Sequence, residues 1–344
     1  MSKTPFGSVE HFRQTFSAGL QKLLHEDGLG AYILAHANAG FDAELMSVLR
    51  PRLLHRFQVL ASECQTALKA GSEPNGAADD VSVFLKLMAI GFEGVAETRF
   101  RHLEPWELQF NHLRAFRPRR MTGERVEGIG RPFDETGFHF NKPFLQRETF
   151  WNGELMGERV DLLYNKFPFV TLHGLLVPDR QAQHPQLLSR HYHEYVWRLC
   201  ETLGADLPGW GVGFNSYGAF ASVNHLHFQT FIRQRPLPIS NPQWRQNGGD
   251  RPYPLPCERF LSPREAWQRI EALHEAACSY NLVYLPGELY CLPRRRQGSY
   301  ASAPWSSGFA WHELAGGLVT PDLEAFEGLD DERIAAELAK LALN

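Results

Sequence analysis

Apolar residues along the first hundred positions recur at helical spacing. Leu20, Leu23 and Leu24 form one stripe, and Leu45, Val48, Leu53 and Leu54 a second that Pro51 is expected to break. Val83, Leu85, Leu87, Met88 and Ile90 form a third, and the intervening AGSEPNGAADD reads as a loop. From about residue 105 the texture changes to short aromatic and β-branched runs punctuated by Gly and Pro, which predicts strands. Strands are expected over 159–165, up to Val177, over 209–215 and over 224–232. Between the second and third of these, Leu188, Tyr192, Tyr195, Val196, Leu199 and Leu203 share one face of a helix that should stop at Gly204. After a Pro-rich connection, Ser262-Pro263 opens another helix carrying Ala266, Ile270, Leu273 and Ala277. LVYLPGELYCLP is a hairpin in which Pro286 and Gly287 suit a type II turn. An α+β fold follows, with a helical region over 1–104 and two sheet-bearing halves over 105–240 and 241–344.

Length and charge narrow the class. The 344 residues suffice for two domains, and a net charge of -4 argues against a surface built to hold nucleic acid or anionic membrane. No apolar run reaches the ~20 residues of a membrane span, and the start MSKTPFGSVEHFRQ lacks a secretory core. The five cysteines, at 64, 200, 257, 278 and 291, include no Cys-x-x-Cys pair, so neither a disulfide framework nor a thiolate metal site is indicated. A cytoplasmic protein without metal or cofactor, monomeric or homodimeric, is the expectation.

Candidate chemistry concentrates in NHLHFQTFI. On a strand, alternate residues share a face, so His225, His227 and Gln229 would line one surface while Leu226 and Phe228 pack. Upstream, Asn215, Gly218 and Ser222 belong to a small-residue turn whose amides and hydroxyls suit phosphate and ribose oxygens. Asn165 and His173 stand eight apart across Pro168 in NKFPFVTLHGLLVP. Residues 112–131 carry Arg114, Arg117, Arg119, Arg120, Arg125 and Arg131, enough positive charge to meet a diphosphate. A second run, Arg294 to Arg296, and the histidines at 184, 191 and 193 read as surface.

Asn165, Pro168, His173 and Pro178, followed by a helix and then His-x-His, resemble the histidine triad (HIT) superfamily. QFNHLRAFRPRR, RPFDETGFHFNK and FNSYGAFASVNHLHFQTF are similar to the GDP-hexose phosphorylases (GDP-D-glucose and GDP-L-galactose) of its galactose-1-phosphate uridylyltransferase branch, and the likeness runs over about 105–335. The resemblance implies a HIT-like antiparallel sheet with packed helices, a catalytic half at 105–240 and a second half at 241–344. It implies an enzyme that cleaves a nucleotide-sugar with inorganic phosphate through a nucleotidyl-histidine. His227 would be the nucleophile, with His225 and Gln229 beside it; Asn165, His173, Asn215, Gly218, Ser222, Asn111, Arg117 and Arg120 would contact substrate. Gln229, where superfamily hydrolases tend to carry a third histidine, favours transfer over hydrolysis. Dinucleoside polyphosphate phosphorolysis, hexose-1-phosphate uridylyl transfer and turnover-free nucleotide sensing are the alternatives.

Overall fold

A computed structural model describes residues 4–26, 28–95, 97–117, 126–306 and 308–343. Four helices come first: α1 (Val9–Leu23), α2 (Leu29–Ala39), α3 (Ala43–Lys69) and α4 (Ala78–Ile90). Pro51 does not break α3. Its ring lies on the solvent side while Leu45, Met46, Leu49 and Leu53 bury the opposite stripe, so the helix continues through the one donor that proline removes. A hairpin of β1 (Arg99–Leu103) and β2 (Trp106–Phe110) leads into the short α5 (His112–Ala115).

The body of the molecule is one antiparallel sheet. Its strands are β3 (Thr149–Leu155), β4 (Glu158–Tyr164), β5 (Gly174–Pro178), β6 (Trp210–Asn215), β7 (Phe228–Ile232), β8 (Glu258–Phe260), β9 (Ser279–Leu285) and β10 (Glu288–Arg294). They lie in the order β3-β4-β5-β7-β6-β9-β10-β8, so strands from both 105–240 and 241–344 share the sheet. β9 and β10 form the expected hairpin, with Gly287 at φ 77° in its turn. Two helices connect the strands, α6 (Arg190–Asp206) and α7 (Pro263–Glu275). α6 runs two residues past Gly204, where the missing side chain lets Pro286 pack against the helix. α7 stops before Ala277, which takes a left-handed φ of 48° as the Cys278 N–H bonds back to the Leu273 carbonyl. The chain closes with α8 (Trp311–Leu314), β11 (Gly317–Thr320), α9 (Leu323–Gly328) and α10 (Asp331–Ala339); β11 joins β2 in parallel to make a small sheet, β1-β2-β11.

The pleat separates two cores. Leu162, Leu176, Val212, Phe214 and Phe228 point to one side, where they pack in a single cluster with Phe12, Phe16, Tyr32 and Phe84 of the first helices and with α6 and α7. On the other side, Phe231, Val283 and Leu292 meet Trp106, Trp311 and Leu318. A third, smaller cluster on that second face joins Leu163 and Val177 to Phe140, Leu145 and Val223. The candidate site lies between these last two clusters.

Two sequence assignments change here. His193 is buried, its Nδ1 2.8 Å from the Tyr284 hydroxyl and its Nε2 2.9 Å from the Pro263 carbonyl, so it ties α6 to β9 and to the start of α7. Arg294 is also buried, under the ring of Phe220 at 5.2 Å and bonded to the Phe309 carbonyl and the Tyr300 hydroxyl. A charged or polar residue type marks the surface only where no other segment packs over it.

Candidate active site

His225 and His227 precede β7 rather than lying within it, which corrects the strand expected over 224–232. Their backbone pairs instead with the loop before α6. Leu226 N–H donates to the His184 carbonyl at 2.8 Å. The buried amide of Gln186 then takes the place of a strand: its oxygen accepts from His227 N–H at 2.9 Å, and its nitrogen donates to the carbonyls of His227 (3.2 Å) and Asn215 (2.9 Å). Nothing in the sequence marks Gln186, because an amide that mimics main chain leaves no periodic trace. Q186L leaves these three buried main-chain groups without a partner and should cost about 2–4 kcal/mol. Urea unfolding measures it; a loss below about 1 kcal/mol would show that the amide does not hold the segment.

Hydrogen bonds fix the tautomers. His227 Nδ1 lies 2.8 Å from the His225 carbonyl, which can only accept, so Nδ1 carries the proton and Nε2 the lone pair. His225 Nδ1 accepts from Phe140 N–H at 3.2 Å, which occupies a lone pair that a metal would need. Among the described residues no group of three or more His, Cys, Asp or Glu is arranged to hold a metal. The Phe140 ring covers both imidazoles, 5.5 Å from His225 and 5.1 Å from His227. Burial lowers the His227 pKa to about 4, opposed by the His225 carbonyl. Burial, then His227 and His139, lower His225 to about 3. Both rings are therefore neutral at neutral pH.

Gln229, on β7, faces His173. His173 Nδ1 accepts from Phe169 N–H at 3.4 Å, leaving Nε2–H to donate to Gln229 Oε1 at 3.3 Å. Asn165 Nδ2 is 3.3 Å from the same nitrogen, while its Oδ1 accepts from Phe167 N–H. Two N–H groups cannot bond each other, so Asn165 packs against His173. The first helices hold this loop: Asn38 of α2 donates to the Asn165 carbonyl at 2.9 Å, and Lys166 pairs with Asp80 of α4 at 2.6 Å. Burial, with Arg114 second, lowers the His173 pKa to about 3.

The remaining predicted residues divide. Asn215 joins the site: its Oδ1 accepts from Asn281 Nδ2 (2.6 Å) and Trp311 N–H (2.9 Å). Gly218 has φ 82°, and a Cβ there would meet Ser279 Oγ at 2.6 Å. Ser222 is exposed in the same loop, and Arg117 is exposed and close enough to act electrostatically on His173. Asn111 is not on the histidine wall; it caps α5 through Arg114 N–H and bonds Thr98. Arg120 lies outside the described residues. Arg114 is buried beside Glu313 (3.7 Å) and over Phe169 (4.6 Å), and burial lowers its pKa to about 10.

The site thus holds a neutral His227 imidazole with its lone pair on Nε2, and Arg114 and Arg117 act electrostatically on His173. Residues 106–231 match the GDPGP1-like N-terminal domain. Part of the chain is similar to curated GDP-hexose phosphorylases. It is 36% identical over 121 residues to GDP-D-glucose phosphorylase 1 of Danio rerio, covering 34% of each chain. The human enzyme of the same name is 34% identical over 124 residues, which cover 34% of this chain and 31% of that one. GDP-L-galactose phosphorylase 2 of Arabidopsis thaliana is 30% identical over 139 residues, 35% of this chain and 32% of that one. The matched part spans about a third of the length of these curated relatives. A crystal structure of yeast Ap4A phosphorylase with Ap4A superposes with a TM-score of 0.47 at 16% identity, over 76% of this chain and 97% of that one. Among the described residues no helix is long and apolar enough to cross a membrane.

Proposed function

We propose that this protein is a phosphorylase of GDP-hexoses that works through a nucleotidyl-histidine. The observation that carries the reading is the His227 tautomer: Nδ1–H is bonded to the His225 carbonyl and Nε2 is left with its lone pair. Nε2 attacks the α-phosphorus, the bond from that phosphorus to the bridging oxygen breaks, and hexose 1-phosphate leaves with the electron pair. The positive charge on the imidazole is shared with the His225 carbonyl. An oxygen of inorganic phosphate then attacks the same phosphorus, the P–N bond breaks, GDP departs and His227 returns to its neutral form.

Gln229 donates an amide N–H to a non-bridging oxygen as its charge grows, and cannot protonate the leaving group. A phosphate leaving group needs no such proton. Arg117 and Arg114 supply positive charge on the His173 side of the site, and Asn165, Asn215, Gly218 and Ser222 line the approach. The five free thiols fit a cytoplasmic setting.

Incubation with GDP-glucose, GDP-galactose, UDP-glucose and a dinucleoside tetraphosphate, each with and without phosphate, tests the reading. Phosphate-dependent release of GDP from a GDP-hexose is the expected result. Release confined to the tetraphosphate or to UDP-glucose would reassign the substrate, and no release from any would overturn the proposal.

A further inference from the structure

Gln229 is useful to a phosphoryl oxygen only if its NH2 faces the substrate, and an amide side chain is nearly symmetric in shape. Rotation by 180° exchanges its oxygen and nitrogen with no steric consequence, so something else must choose between the two ends. The indole of Trp311, on α8 and outside residues 106–231, lies at this choice. Its Nε1–H donates to Gln229 Oε1 at 2.8 Å. An indole N–H has a hydrogen to give and no lone pair to accept with. The same oxygen receives His173 Nε2–H. In the rotated amide, NH2 would face two N–H groups in a buried place, an arrangement with no hydrogen bond at all.

Trp311 is itself held. A Cβ on Gly213 would come within 2.2 Å of the indole, so the ring rests directly on the strand backbone of β6. It stacks on Phe231 with centroids 5.0 Å apart and planes 14° from parallel, and its backbone N–H is bonded to Asn215 Oδ1. From these contacts we infer that Trp311 is a positioning residue that turns the Gln229 amide so that its NH2 faces the phosphoryl group. The inference rests on the phosphorylase reading for its effect on rate, but not for the geometry. Without the indole N–H, the carbonyl end reaches the substrate side part of the time and repels the phosphoryl oxygen.

W311F keeps the ring and its stack while removing the donor. In the full chain, with GDP-hexose and phosphate, kcat should fall about tenfold with KM within about twofold. The loss should vanish in a Q229L background, because the indole then has no amide to orient. A loss of the same size in both backgrounds, or none in either, overturns the inference. The ¹⁵N-indole resonance of Trp311 gives a second measurement, independent of activity and of whether W311F folds. It should be protected from exchange in the wild type and should move in Q229L; an unchanged, freely exchanging resonance also overturns the inference. Wild-type protein inactive on every substrate but showing the expected indole resonance would refute the phosphorylase reading and leave the amide lock standing.

Discussion

H227N should lose at least about three orders of magnitude in kcat/KM for phosphate-dependent cleavage, because it deletes the atom that forms the covalent intermediate. Asparagine is the informative replacement. Its NH2 can still donate to the His225 carbonyl that holds His227 Nδ1, and the backbone at 227 is fixed by Gln186 whatever the side chain. The fold should therefore survive while the nucleophile is gone. Trapping separates chemistry from binding. Wild-type protein mixed with an α-labelled GDP-hexose without phosphate should retain label after denaturation, as an acid-labile phosphoramidate, and H227N should retain none. Label on both proteins would move the nucleophile elsewhere. Unlabelled tight binding by both would support a nucleotide sensor instead.

The second large effect is on acid stability. His36, His173 and His225 are held by burial at a pKa of about 3 and His227 at about 4, against about 6.5 in the unfolded chain. Their folded values are lower, so below pH 6.5 the unfolded chain takes up protons that the native state refuses. Stability therefore falls as pH drops through that window. Glu148 acts in the opposite sense, because burial raises it to about 6 and the native state keeps its proton near pH 5. From these five groups alone the net uptake near pH 5 is roughly three protons, a slope of about 4 kcal/mol per pH unit; burial also lowers His312, which steepens it, and raises Glu313, which opposes it. Urea unfolding at intervals between pH 4.5 and 6.5 measures this slope. A flat profile would mean that these rings are protonated, and so hydrated, in the folded protein.

Much of the sheet was readable because its signals are local. The β9–β10 hairpin follows from Pro286-Gly287 between apolar runs, and the buried stripe of α6 from its 3.6-residue period. Asn165 and His173, eight apart across Pro168, do come together, while the bond from His173 to Gln229 joins residues 56 apart. The failures come from reading a residue by its type: Pro51 leaves α3 unbroken because its ring faces solvent, while His193 and Arg294 are decided by what another part of the chain places against them. The His225–His227 segment looks like a strand because its alternation is that of a strand, but a side-chain amide from residue 186 replaces the neighbouring strand.

By itself, then, the sequence determined an α+β chain with a helical start, and the neighbourhood of Asn165, His173, His225, His227 and Gln229. Residue type and short-range period suffice for both, since they act within one element. Only the tertiary structure decided which imidazole nitrogen is free, which end of Gln229 faces the site, and that Asn38, Gln186 and Trp311 hold it. The tautomer is set by a carbonyl only two residues away, in a local geometry that the alternation of a strand does not foretell, whereas the other outcomes depend on donors and acceptors brought together from 41 to 127 residues apart, and a contact at that separation leaves no pattern along the chain.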